Sequence, residues 1–144
     1  MKKLVYILFF LCSFANVFSQ HDVPPSKDEI IVPDSLDSKT GIYNVVDEMP
    51  EFPGGTKEMY MYIKTNLKYP VDAKEQGKEG KMYIKFVVDI YGKVKDPIIL
   101  RSVGFPSLDM EALRIVNNMP LWKAGKQRGK EVPVYYILPI NFKL

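Results

Sequence analysis

The 144-residue sequence has little of the side chains that most often do chemistry: one cysteine, one histidine and one tryptophan. The cysteine, Cys12, lies inside an apolar run near the N-terminus, and the histidine, His21, lies in the polar stretch that follows it. The rest of the chain therefore has no residues for a disulfide, a thiol nucleophile or a Cys/His zinc site. We expect no catalytic site, no metal site and no cofactor, and hence a protein that is not an enzyme.

The sequence also lacks a strong excess of one charge. Lys2 and Lys3 account for two of the 20 basic residues, so the remainder nearly balances the 17 acidic residues. Proteins that bind nucleic acid usually carry a strongly basic patch or stripe. We therefore expect no nucleic-acid partner.

The N-terminus has the layout of a secretory signal peptide. The two lysines precede an apolar run, Leu4–Phe18, which is 15 residues long, and the polar residues Ser19 and Gln20 follow it. A membrane-spanning helix needs about 20 apolar residues, so the run is short for an anchor. We expect residues 1–19 to be a cleaved signal peptide, with an uncleaved anchor as the alternative.

Composition changes twice after the signal. Residues 20–41 contain three prolines, and their five acidic residues outnumber two lysines. This composition is typical of a flexible leader. Residues 42–144 hold nearly all the remaining aromatic residues and form one domain, which is large enough to bury roughly two-thirds of its unfolded surface.

Three segments of the domain, residues 81–88, 93–102 and 132–142, alternate apolar and polar side chains and predict three strands. In the second strand, Val94, Ile98 and Leu100 share a parity.

Helical spacing predicts two main helices. The first follows Thr56 as N-cap, with Met59, Tyr60, Ile63 and Leu67 inward. The second covers residues 107–119, and its expected inner face is Met110, Leu113, Val116 and Met119, with Glu111 and Arg114 outward. A short helical turn over residues 71–76 is expected between the first helix and the first strand.

Proline positions predict the order of the strands. The first strand has no proline, the second has Pro97, and the third has Pro133 and Pro139. Because proline has no amide hydrogen, it is tolerated at sheet edges and disfavoured in a strand paired on both sides. The prediction is a two-layer α+β fold: a three-stranded mixed sheet of order 2-1-3, with two helices packed on one face.

The third strand has one edge that bears both prolines. Backbone groups of alternate residues point to opposite lateral sides of a strand, so Tyr135, Ile137, Pro139 and Asn141 share a side with Pro133. If the other parity pairs with the central strand, this edge is open. It then either prevents edge-to-edge aggregation or binds a partner's strand, and the residues alone leave both interpretations open.

Three other features favour structural explanations. Asp47, Glu48 and Glu51 are expected to be a solvated acidic stretch, Trp122 is expected to cover the small core, and the basic residues of 123–130 are expected to form a solvated turn.

A series of motifs carries a resemblance to a known family. They are Met49–Gly55, Tyr69–Pro70 with Ala73, Glu79–Lys81, Phe86–Asp89, Gly92–Val94, Glu111–Arg114, Met119–Lys123, Gly125–Gly129 and Leu138–Phe142. Together they resemble the C-terminal domain of the energy transducer TonB, over residues 43–144. The opening Pro-Glu-Phe-Pro-Gly-Gly is similar to the branch found in Bacteroidetes-type bacteria.

The resemblance implies a periplasmic domain that binds the TonB box, an extended N-terminal segment of outer-membrane TonB-dependent transporters. The box adds as a strand beside the last strand of the domain, which implies Tyr135, Ile137, Pro139 and Asn141 as partner-binding residues. Energy coupling through ExbB and ExbD is implied only if residues 1–19 remain as an inner-membrane anchor. The alternative function is a self-associating or regulatory periplasmic domain, a homodimer, without energy transduction.

Overall fold

The computed structural model describes residues 36–144. The elements in chain order are β1 (Leu36–Asp37), β2 (Ile42–Tyr43), α1 (Gly55–Asn66), α2 (Val71–Glu75), β3 (Gly80–Val88), β4 (Val94–Arg101), α3 (Pro106–Asn117), β5 (Gly125–Gln127), β6 (Lys130–Val132) and β7 (Val134–Phe142). The predicted signal peptide, and the predicted leader up to residue 35, lie outside the described residues. Within residues 36–144, no helix combines the length and the apolar character needed to cross a membrane.

The main sheet has five strands in the order β1-β2-β7-β3-β4. β3 pairs antiparallel with both β4 and β7, which confirms the predicted order of the three long strands. The prediction of a three-stranded sheet was wrong, because β1 and β2 extend the sheet beyond β7. These two strands are two residues long each, too short to show an alternating pattern, and β1 lies within the segment predicted as leader. The strands β5 and β6 form a separate hairpin.

The hydrophobic core lies between one face of the sheet and three helices. The strands contribute Met82, Ile84, Phe86, Val88, Leu138, Ile140 and Phe142 to it. The helices contribute Met59, Ile63, Ala73, Leu108, Ala112, Ile115 and Val116. The short helix α2 supplies Ala73, so the core is covered by three helices and not by the two predicted.

The strand β4 departs from the predicted alternation because it is bulged. Two of its residues, Asp96 and Pro97, lie opposite the single residue Phe86 of β3. Asp96 has a φ of 50°, in the left-handed region. The extra residue turns the following side chains to the opposite face. Ile98, expected to share a parity with Val94, therefore lies opposite Lys85 and is 54% exposed. Leu100 lies at a second register shift, between Ile99 and Arg101, and is 51% exposed.

The buried face of α3 is rotated relative to the prediction. The buried residues are Leu108, Glu111, Ala112, Ile115 and Val116. Met110, predicted inward, is exposed, and Glu111, predicted outward, is buried. The Glu111 carboxylate accepts hydrogen bonds from the Arg114 guanidinium and from the backbone N–H of Lys68, so its burial is compensated.

Helix α1 begins without a side-chain cap. Gly54, with a φ of 83°, is the residue before the helix, and Thr56, predicted as the N-cap, lies within the first turn. Met59 and Ile63 are buried as predicted, but Tyr60 is 48% exposed.

Candidate partner-binding edge

The strand β7 is paired with β3 along its whole length, without a register shift. Its side chains therefore alternate between the two faces of the sheet. The even-numbered residues from Val134 to Phe142 face the helices and the core, and the odd-numbered residues face outward. Ile137 and Asn141 are exposed, and Tyr135 is half-buried.

The other lateral side of β7 is covered only where the strand begins. The N–H of Tyr43 in β2 donates to the carbonyl of Pro133 over 3.0 Å, and Tyr43 lies opposite Val134. Because backbone groups alternate, those of the odd-numbered residues after Pro133 point to this same side. Beyond Val134, none of the strands in residues 36–144 pairs with β7 here.

We call residues Tyr135–Asn141 on this side the β7 edge. It carries the four residues that the sequence predicted for partner binding: Tyr135, Ile137, Pro139 and Asn141. The parallel pairing of Tyr43 with Val134 places the Tyr43 carbonyl against the N–H of Tyr135. Ile137 and Asn141 have an N–H group directed to the open side, and Pro139 has only its carbonyl. The β2 strand, which the sequence did not predict, limits the edge at its N-terminal end.

The Tyr135 side chain is fixed from two directions. Its hydroxyl donates to Thr40 Oγ1 over 3.3 Å, which ties it to the turn between β1 and β2. The Nζ atom of Lys85 lies 3.7 Å from the centroid of its ring, a cation–π contact. The start of the β7 edge therefore carries a tyrosine side chain with two contacts and a cation on its outer face.

A groove of about 530 Å³ runs beside the other end of the edge. Helix α1 and the end of β7 form its walls. Its lining residues are Tyr60, Ile63, Lys64, Leu67, Lys81, Pro139, Ile140, Asn141 and Lys143. Two of the predicted site residues, Pro139 and Asn141, thus meet the exposed side of α1.

The groove is basic. Its lining includes three lysines and no acidic side chain. The ion pairs within residues 36–144 lie elsewhere: Lys95 with Asp89 and Arg114 with Glu111. The groove therefore attracts a negatively charged segment more strongly than a neutral one.

The sequence did not identify the α1 residues of this groove. Tyr60 and Lys64 are four residues apart, so they share one side of a helix. That spacing was visible, but Tyr60 was assigned to the core because it continued the apolar stripe of Met59 and Ile63. Which side of α1 faces the end of β7 depends on the packing of two elements far apart in the sequence.

The single tryptophan, Trp122, lies in the core, as predicted. It is 4% exposed and contacts Phe52, Phe86 and Tyr136, with ring centroids 5.6, 5.5 and 4.9 Å away. Burial raises the pKa of the neighbouring Tyr136 phenol. Trp122 is therefore not available as an anchor for a partner.

The acidic stretch and the basic loop contact each other. The Asp47 carboxylate accepts from the backbone N–H of Arg128, and Glu48 and Glu51 form backbone bridges with Lys126 and Lys123. The basic segment is the β5–β6 hairpin and not an irregular turn. The part of the chain that the structure describes contains no group of three His, Cys, Asp or Glu residues arranged to hold a metal.

Solved structures that resemble this chain have low sequence identity to it. The solution structure of the Helicobacter pylori TonB C-terminal domain is 21% identical, with 60% of this chain and 90% of that chain covered and a TM-score of 0.46. The Pseudomonas aeruginosa TonB C-terminal domain is 25% identical, with 54% and 77% covered and a TM-score of 0.45. No curated protein matches the chain.

A family model gives the assignment. Residues 65–144, more than half of the chain, match the model described as the Gram-negative bacterial TonB protein C-terminal. The matched range includes α2, α3 and all of the strands from β3 to β7. The family consists of non-catalytic interaction domains of the Gram-negative envelope, and this chain belongs to the TonB C-terminal domain family.

Proposed function

We propose that this protein binds the N-terminal TonB-box segment of outer-membrane TonB-dependent transporters in the periplasm and so supports energy-coupled uptake. The segment adds as a strand to the β7 edge. The observation that supports this is the orientation of β7: the N–H groups of Ile137 and Asn141 point to a side where no described strand pairs beyond the contact with β2.

Main-chain hydrogen bonds supply the affinity in this mode of binding. Each contributes a net stabilisation of about 0.5–1.5 kcal/mol, and ordering the segment offsets part of the sum. Because the bonds lie side by side along the strand, a pull on the segment loads several of them together. This arrangement suits a protein that transmits force.

Energy coupling depends on the N-terminus. An anchor in the inner membrane would place the protein where ExbB and ExbD can act on it. If residues 1–19 are cleaved, the protein binds transporters without transmitting force from the motor. The binding step is the same in both cases and is tested separately.

The test is a titration of the purified protein with synthetic peptides that copy the N-terminal segments of the transporters of its host. We expect Ile137→Pro to weaken binding at least about tenfold, because it removes an outward N–H and restricts the backbone. The matched control, Ile137→Ala, keeps the N–H and should change the affinity by less than about threefold. Circular dichroism verifies that both variants are folded.

Two results would contradict the proposal. One is the absence of binding by the unmodified protein up to millimolar peptide. The other is an equal loss for Ile137→Pro and Ile137→Ala, which would locate the binding site away from the backbone of the β7 edge.

Self-association uses the same edge and is measured in parallel. Sedimentation of the unmodified protein, with and without peptide, separates the two functions. A dimer that peptide dissociates would mean that copies of the protein compete with transporters for the β7 edge.

A further inference from the structure

The groove lies beside the β7 edge, and its lining joins residues of α1 on the helix side of the sheet to residues at the end of β7. Tyr60, Ile63 and Leu67 of its lining are the residues of α1 and its C-cap that face β7. Tyr60 is 48% exposed although it is a large aromatic residue next to the core. Its ring is therefore a surface on which a partner's side chain can pack.

Strand geometry determines which side chains of a partner reach this surface. Neighbouring strands are about 4.8 Å apart, and side chains alternate between the faces of the sheet. Ile140 of β7 faces the core on the helix side and is 1% exposed. A strand added to the β7 edge would place one side chain beside Ile140, on the same face of the sheet. That side chain would lie over Tyr60 and Leu67.

Three lysines lie near the place where that side chain would dock. Lys64 is in the last turn of α1, Lys143 follows β7, and Lys81 lies opposite Asn141 on β3. At this end of the sheet, Glu79 Oε1 accepts from the backbone N–H of Leu144 over 2.6 Å. None of the three lysines has a carboxylate within salt-bridge distance among residues 36–144.

We infer that helix α1 selects the segment that docks on the β7 edge. Tyr60, Ile63 and Leu67 bind an aliphatic side chain of the segment, and Lys64 with Lys143 binds a carboxylate close to it. The partner is therefore an extended segment with an aliphatic and an acidic residue beside the C-terminal end of β7. This inference rests on the proposed function and adds the residues that determine its specificity.

The charge is tested with a transporter peptide that contains an acidic residue, and with the same peptide in which that residue is lysine. We expect Lys64→Glu to lower the affinity for the acidic peptide about three- to tenfold and to raise the affinity for the lysine peptide. The control Lys74→Glu makes the same change of charge on an exposed position of α2, outside the groove. It should leave the preference for the acidic peptide unchanged.

The apolar contact is tested with a matched pair on α1. Tyr60→Ala should lower the affinity for the acidic peptide about tenfold, since it removes the aromatic ring from the wall of the groove. Met61→Ala alters a residue that is 51% exposed and does not line the groove, so it should have little effect. Both positions are on the surface, and melting curves verify that the variants are folded.

The outcomes separate this inference from the proposed function. Suppose that peptides bind the unmodified protein and that Ile137→Pro weakens this binding as expected. If Lys64→Glu then has the same effect as Lys74→Glu, and Tyr60→Ala the same effect as Met61→Ala, the inference is overturned while the proposed function stands. If no peptide binds the unmodified protein, the proposed function and the inference fail together.

Discussion

Gly92 is a position where a single hydrogen atom decides the packing. It has a φ of 83°, and its carbonyl accepts from the N–H of Trp122 over 2.7 Å. A Cβ at this position would lie 1.9 Å from the Trp122 carbonyl oxygen. Only glycine allows the β3–β4 turn to approach the Trp122 backbone so closely.

We expect Gly92→Ala to lower the free energy of unfolding by about 2–5 kcal/mol, from the strained backbone and the overlap with Trp122. The control is Gly77→Ala, at a φ of 60° with no atom within 4 Å, which should cost about 1–2 kcal/mol for the backbone alone. Urea unfolding followed by the fluorescence of the single tryptophan measures both. Equal losses would mean that the contact with Trp122 is unimportant.

Glu111 is a buried carboxylate held by hydrogen bonds. Burial alone raises its pKa, but the bonds from Arg114 and from the Lys68 N–H outweigh burial and hold the pKa below its ordinary value of 4.5. A carboxylate with a lowered pKa stabilises the folded state above its unfolded pKa. That stabilisation is lost as the pH falls through the folded value.

Glu111→Gln should therefore reduce the free energy of unfolding by about 1–3 kcal/mol at neutral pH, because Arg114 loses its ionic partner. The difference from the unmodified protein should shrink as the pH falls below 4.5. Glu75→Gln, on the exposed surface of α2, serves as the control. A difference that does not change with pH would show that the charge of Glu111 is not what stabilises the fold.

At the scale of elements, β4 and β7 show when strand parity can be read from a sequence. In β7 the pairing with β3 has no register shift, so the alternation of side chains holds over the whole strand. In β4 the bulge at Asp96 and Pro97 and a second register shift at Leu100 break the alternation. Pro97 is compatible with either an edge position or a bulge, so the pattern of residues 93–102 does not decide between them.

The lateral orientation of the β7 backbone predicts which positions of the strand tolerate proline. The N–H of Leu138 points toward β3, and that of Ile137 points away from it. Leu138→Pro should cost at least about 3 kcal/mol more than Leu138→Ala, because it also breaks a ladder hydrogen bond. Ile137→Pro should cost only about 1 kcal/mol more than Ile137→Ala. Guanidinium unfolding of the four variants measures these differences, and the reverse order would mean that the open side of β7 is misassigned.

At the scale of the whole molecule, the N-terminus decides where the domain is located. We propose cleavage after Ser19, so mass spectrometry of the protein from its native host should find Gln20 as the first residue. An intact Met1 would contradict cleavage and would favour an inner-membrane anchor. The binding chemistry of the β7 edge is expected to be the same in both forms.

The sequence by itself determined the α+β class, the order of the three long strands and the absence of Cys and His chemistry beyond residue 21. These follow from local rules: apolar alternation, the missing amide hydrogen of proline, and residue inventory. Only the tertiary structure decided the strands β1 and β2, the bulge in β4, the buried face of α3 and the groove between Tyr60 and Asn141. Each of these depends on contacts between residues distant in the chain, which a local pattern does not contain.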